Sequence, residues 1–120
     1  MKTILVIDDV EVCRYTIAAK SDDYGFAYKG APNVAEALDY LKNNRVDAIL
    51  VDWHLKKEQV TESLAQLKAH AGVNTVICLM TAIEKSKAQD LVNKGDVNHY
   101  LPKPVADEDF KSFLLQHKLI

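Results

Sequence analysis

Apolar positions along the chain fall into two alternating patterns. Four or five short runs read as strands: Ile4-Leu5-Val6-Ile7, the stretch FAYKGA at 26 to 31, Ala48-Ile49-Leu50-Val51, Val76-Ile77-Cys78-Leu79-Met80, and His99-Tyr100-Leu101. The first, third and fourth are apolar without a polar alternate, the pattern of strands covered on both faces of a parallel sheet. Between them the period changes to that of a helix. Val34, Ala37, Leu38 and Leu41 stand at i, i+3, i+4 and i+7, and Ala88, Leu91, Val92 and Gly95 repeat the spacing. Phe110, Phe113, Leu114 and His117 do so again, Val60, Leu64, Leu67 and Ala71 make a similar stripe, and Val10, Cys13 and Ile17 mark the first helix. Asn33 with Glu36 reads as a capping box, Asp107 as the N-cap of the last helix and Gly95 as a C-cap.

The order is a (βα)5 alternation with short connections. Right-handed crossovers leave few topologies for it, and the expected fold is α/β: a doubly wound, five-stranded parallel sheet of order 2-1-3-4-5, as in flavodoxin-like proteins. Pro102 would remove a ladder bond from a central strand, so it fits an edge, where this order puts the fifth strand.

Composition narrows the picture. At 120 residues and 13.4 kDa the chain is expected to be a single domain over residues 1–120. A formal net charge of -2 gives no general attraction to nucleic acid or to an anionic membrane, so neither is expected as a partner. No apolar run approaches a membrane span, and a cytoplasmic location is expected. Cys13 and Cys78 lack metal-ligand spacing and read as free, buried thiols.

In sheets of this kind ligands bind outside the carboxyl ends of the strands, where strand order reverses between the first and third. Strand one ends in Asp8-Asp9 and strand three in Asp52. Two charges about 4 Å apart repel by roughly 4 kcal/mol at an effective dielectric of ~20, and three oppose folding by on the order of 10 kcal/mol. Either a carboxyl stays protonated or a divalent cation sits among them. Oxygen ligands alone select a hard ion, and an open site that keeps waters suits Mg2+ better than Ca2+. Taken singly, Asp8-Asp9 could cap the next helix and Asp52 could be a turn residue. Thr81 at the end of strand four and Lys103 after strand five complete a set able to stabilise a transferring phosphoryl group, with Asp52 as nucleophile. No phosphate-binding glycine loop is present, so neither ATP nor NAD is the expected ligand.

With these residues in their places, the chain resembles over its full length the receiver domain of two-component response regulators, the CheY-like family. The resemblance rests on Asp8-Asp9, Asp52, Thr81-Ala82, and Tyr100 followed by Lys103-Pro104. It implies that Asp52 accepts phosphate from a histidine kinase or phosphotransfer protein. It further implies that Asp9 binds Mg2+ directly, that Asp8 does so largely through water, and that the main-chain carbonyl of His54 is another ligand. Thr81, Ala82 and Lys103 would bind the phosphoryl group, and Thr81 and Tyr100 would form the switch. Lys103-Pro104 matches a bond usually cis in the family. Such a domain catalyses only its own phosphorylation and dephosphorylation. The face of fourth helix, fifth strand and fifth helix would meet partners, a second copy included, with Lys85, Lys87, Lys94 and Lys111 on or near it.

Some positions depart from the family pattern. Lys56 and Val60 stand where a proline and a glycine are common after Asp52, and the segment from Gly95 to Tyr100 is one residue longer than usual. His54 and Ile83 occupy positions that tune dephosphorylation in the family. A receiver that no longer responds to phosphate and serves as a protein-binding module is the alternative reading, and a Mg2+-dependent phosphate hydrolase a third, although no separate general acid accompanies the carboxylates. The chain reads as a stand-alone receiver or as part of a longer regulator or hybrid kinase.

Overall fold

A computed structural model describes residues 1–53, 60–82 and 85–120. The elements alternate as expected: β1 (Thr3–Ile7), α1 (Glu11–Asp23), β2 (Ala27–Ala31), α2 (Val34–Leu41), β3 (Ala48–Asp52), α3 (Val60–His70), β4 (Val76–Thr81), α4 (Lys85–Asn93), β5 (His99–Pro102) and α5 (Asp107–Gln116). All strand pairs are parallel and the order is β2-β1-β3-β4-β5. Pro102 lies on the edge strand, opposite Thr81 of β4.

The absence of alternation in β1, β3 and β4 has a direct consequence. Successive side chains leave the sheet on opposite faces, so an unbroken apolar run supplies two cores at once. Leu5, Ile7, Ile49, Val51, Ile77 and Leu79 enter one core, closed by Ala37 of α2 and by Leu64 and Leu67 of α3. Ile4, Val6, Leu50, Cys78 and Met80 enter the other, closed by Ile17 of α1 and by Phe110, Phe113 and Leu114 of α5. Burying each large aliphatic side chain contributes about 1.5–3 kcal/mol, which makes the central strands the rigid base of the site.

Local signals act as read at two ends. Asn33 caps α2, its Oδ1 accepting from the Glu36 N–H at 2.9 Å. Gly95, at φ +83°, closes α4 with Gly95 N–H to Val92 O and Asp96 N–H to Leu91 O, each 3.0 Å. Other readings need correction. The N-cap of α5 is Ala106, which is extended, and Asp107 is already helical; the acidic first turn of Asp107, Glu108 and Asp109 instead sits favourably at the positive end of the helix dipole. His117 is the residue after α5, and Ala71 lies beyond α3. Val10 is the extended N-cap of α1 and is 46% exposed; Ile17 and Ser21 are the buried residues of that helix. Cys78 is buried, but Cys13 is only partly so.

Candidate functional site

Three strand ends bring the expected residues together. Asp52 closes β3 and Thr81 closes β4, while Asp8 follows β1; all three are buried. Asp8, Asp9 and Asp52 each offer a carboxylate oxygen within 4.8 Å of the others. Burial comes from the parallel strands, since a residue at the carboxyl end of a central strand has neighbours on both sides. Asp9 is partly exposed and leaves the cluster open to solvent on that side.

A cation from the edge of the sheet answers the negative charge. Lys103 Nζ donates to Asp8 Oδ2 at 2.9 Å and to Asp52 Oδ1 at 3.0 Å. Burial works to lower the Lys103 pKa, and the hydrogen bonds and charges of Asp8 and Asp52 outweigh it, so the ammonium ends up held above its ordinary value. The residue arrives there because Lys103 N–H bonds Thr81 O at 2.9 Å, extending the β4–β5 ladder past Pro102; the Lys103–Pro104 bond that follows is cis. Ala82 is exposed beside Thr81. His54, Lys56 and Ile83 lie outside the described residues.

The donor set suits a hard cation. Among the described residues only carboxylate oxygens converge, with no thiolate or imidazole in the cluster, and they are near enough for one ion to touch more than one carboxylate.

Tyr100 of β5 is half-buried, away from the carboxylates. Thr81 and Tyr100 nevertheless line one cavity of about 490 Å³, together with Lys85 and Gln89 of α4 and Asp109 of α5. The cavity opens on the face formed by α4, β5 and α5, where Lys85, Lys87, Lys94 and Lys111 are all exposed. A second cavity, about 430 Å³ and largely apolar, is lined by Asp8 and Lys103 with Cys13, Ile17, Met80 and Val105. Burial first, then the Asp8 carboxylate, pushes the Cys13 thiol up and keeps it protonated.

Two contacts were not read from the sequence. Arg14 Nη1 donates to the Asp8 main-chain carbonyl at 2.6 Å; its signal is position, because a side chain early in a helix leans back over the preceding turn. His99 Nδ1 and His117 Nε2 lie 3.1 Å apart with rings nearly perpendicular, joining β5 to the end of α5. No local pattern links two histidines 18 residues apart.

A doubly wound sheet of this order, with an acidic cluster and a lysine at its switch point, defines a signalling domain of the CheY-like architecture. The family model for the response regulator receiver domain matches residues 4–114, and the chain belongs to that family. Response regulator MprA of Mycobacterium sp. (strain KMS) is 30% identical over 106 residues, covering 88% of this chain and 46% of that protein. Transcriptional regulatory protein CitT of Bacillus subtilis (strain 168) is 30% identical over 95 residues, covering 78% of this chain and 42% of that protein. The chain therefore spans less than half the length of these relatives. Among solved structures, a response regulator from Burkholderia pseudomallei with a phosphorylated aspartic acid, a calcium ion and citrate superposes with a TM-score of 0.82 at 28% identity, over 93% of this chain and 65% of that one. Chemotaxis protein CheY4 of Vibrio cholerae shares the fold, with a TM-score of 0.83 at 20% identity over 97% of this chain and 98% of that one. Receivers of two-component systems take their input from a histidine kinase or phosphotransfer protein. Among the described residues no helix is long and apolar enough to cross a membrane.

Proposed function

We propose that residues 1–120 act as one receiver unit in which Asp52 accepts a phosphoryl group from a phosphohistidine in a Mg2+-dependent reaction. The observation that carries this reading is Lys103 Nζ, placed within 3.0 Å of both Asp8 and Asp52 over the acidic cluster. An Asp52 carboxylate oxygen attacks the phosphorus; a P–O bond forms as the P–N bond breaks, and the electron pair leaves with the imidazole nitrogen of the donor. Lys103 then neutralises a phosphoryl oxygen in place of the Asp52 oxygen it now holds, while the Thr81 hydroxyl and the Ala82 N–H donate hydrogen bonds to the others. Mg2+, held at the carboxylates, would supply neutralisation of charge on the phosphoryl oxygens. Both Asp8 side-chain oxygens already accept hydrogen bonds, from Val10 N–H at 2.9 Å and from Lys103, which supports Asp8 as a holder through water; Asp9 and Asp52 would be the direct carboxylate ligands, as the family implies. The His54 carbonyl is the further ligand implied by the family.

Output runs through the cavity that Thr81 and Tyr100 share. Movement of Thr81 toward a phosphoryl group vacates space into which Tyr100 turns, and this alters the surface of α4, β5 and α5 offered to a protein partner or a second copy. The expected activity is self-phosphorylation and self-dephosphorylation alone, in the cytoplasm. Intact mass after incubation with Mg2+ and a small-molecule phosphodonor tests the chemistry. One added phosphoryl group is expected, absent from Asp52→Asn and from the metal-free control; labelling of Asp52→Asn overturns the assignment.

A further inference from the structure

The main chain of Asp8 is gripped at both ends. Its N–H donates to Ala31 O of β2 at 3.1 Å, and its carbonyl accepts from Arg14 Nη1 at 2.6 Å. The second bond is charge-assisted and shorter than an ordinary amide bond. It is also sterically provided for. A Cβ on Gly30 of β2 would stand 3.2 Å from Arg14 Cδ and 2.6 Å from the Tyr28 hydroxyl, so the bare glycine gives the arginine stem its berth against the sheet edge.

The Asp8 carbonyl shares a rigid plane with the amide of Asp9. Holding that oxygen therefore fixes the direction in which the chain leaves Asp8, and with it the position of the Asp9 carboxylate. We propose that Arg14 is a positioning residue for the cation site: by clamping the Asp8 carbonyl to α1 it holds Asp9 in reach of the Asp8 and Asp52 carboxylates. The inference rests on the function proposed above. Arg14 acts through the Asp8 main chain and is offered neither as a metal ligand nor as a phosphoryl-binding group.

The charge of Arg14 makes the proposal separable from simple electrostatics. A guanidinium near a cation site repels the cation, so removing it tightens Mg2+ binding if charge is all that matters. Removing a positioning bond weakens binding, and partners behind metal ligands characteristically contribute about tenfold to 100-fold in affinity. Arg14→Met keeps the stem against Gly30 and loses the donor, while Arg14→Lys restores a donor on a similar stem.

The experiment is Mg2+ titration of wild type and both variants by calorimetry and by fluorescence of Trp53, the one tryptophan, which adjoins Asp52, with thermal unfolding alongside to establish that all three are folded. The expected result is a loss of about tenfold or more in Mg2+ affinity for Arg14→Met with clear recovery in Arg14→Lys. Unchanged or tighter binding by Arg14→Met, or weakening that Arg14→Lys leaves unrelieved, overturns the proposal while the phosphoacceptor reading stands. A wild-type chain that binds no Mg2+ overturns both.

Discussion

Asp8 has every polar group engaged: N–H to β2, carbonyl to Arg14, Oδ1 to the Val10 N–H and Oδ2 to Lys103. A fully buried carboxylate is tolerated on such terms, because its desolvation is offset by donors already in place. Lys103 serves Asp8 and Asp52 together, so its removal strips one charged donor from each. Lys103→Met is expected to destabilise the Mg2+-free protein by about 2 kcal/mol, the usual weight of hydrogen bonds to charged groups. Saturating Mg2+ should return more stability to the variant than to wild type, since a divalent ion replaces the missing charge. Urea unfolding with and without Mg2+ reads both quantities, and equal gains in the two proteins would contradict this account of Lys103. The convergence of Asp8, Asp9, Asp52 and Lys103, and the place of Thr81 at the end of β4, were legible from the sequence because each stands at or beside a strand end, where topology alone brings distant residues together. The bond from Arg14 to the Asp8 carbonyl was not, since it depends on the direction of a helical side chain rather than on its type or spacing.

Elements were legible to the extent that burial wrote them. β1, β3 and β4 are continuous apolar runs because both faces are covered, and their ends fell within a residue of those read. α1 was read from Val10, Cys13 and Ile17, of which Val10 is the exposed N-cap; Ser21, buried and bonded to Ile17 O at 2.7 Å, belongs to its hidden face and gives no apolar signal. Asp107 read as a cap by residue type, but its backbone is already helical, and capping is decided by dihedrals. Asn33 does cap, so Asn33→Ala is expected to lower stability by about 1 kcal/mol in urea unfolding. The β5–α5 junction carries a pH dependence. Burial lowers the His99 pKa, as does neighbouring His117, against the opposing pull of Asp109; burial lowers that of His117. The unfolded chain, with histidines near 6.5, therefore binds more protons as the pH falls below that value. The pair's contribution is complete above about 6.5 and is lost as the pH falls through the lower folded values. Urea midpoints between pH 7.5 and 5 should fall less steeply in His117→Gln than in wild type, and parallel slopes would remove the pair from this account.

At the scale of the molecule, one sheet serves two purposes. Its buried strands bring three carboxylates to the switch point, and its edge strand carries Tyr100 and leads directly into Lys103, which bonds two of them. The carboxylates thus stand on the central strands, and the readout proposed above falls on β5 at the sheet edge. Thr81 borders both, through its place at the end of β4 and on the wall of the cavity it shares with Tyr100. The claim on which everything else depends is that phosphate joins the chain at Asp52 as an acyl phosphate. Borohydride reduction of the phosphorylated protein, followed by peptide mapping by mass spectrometry, tests it most directly. The account predicts a reduced side chain at residue 52 alone, formed only when Mg2+ and donor were both present. Reduction at another carboxylate, or a phosphoryl adduct that borohydride leaves untouched, would contradict it.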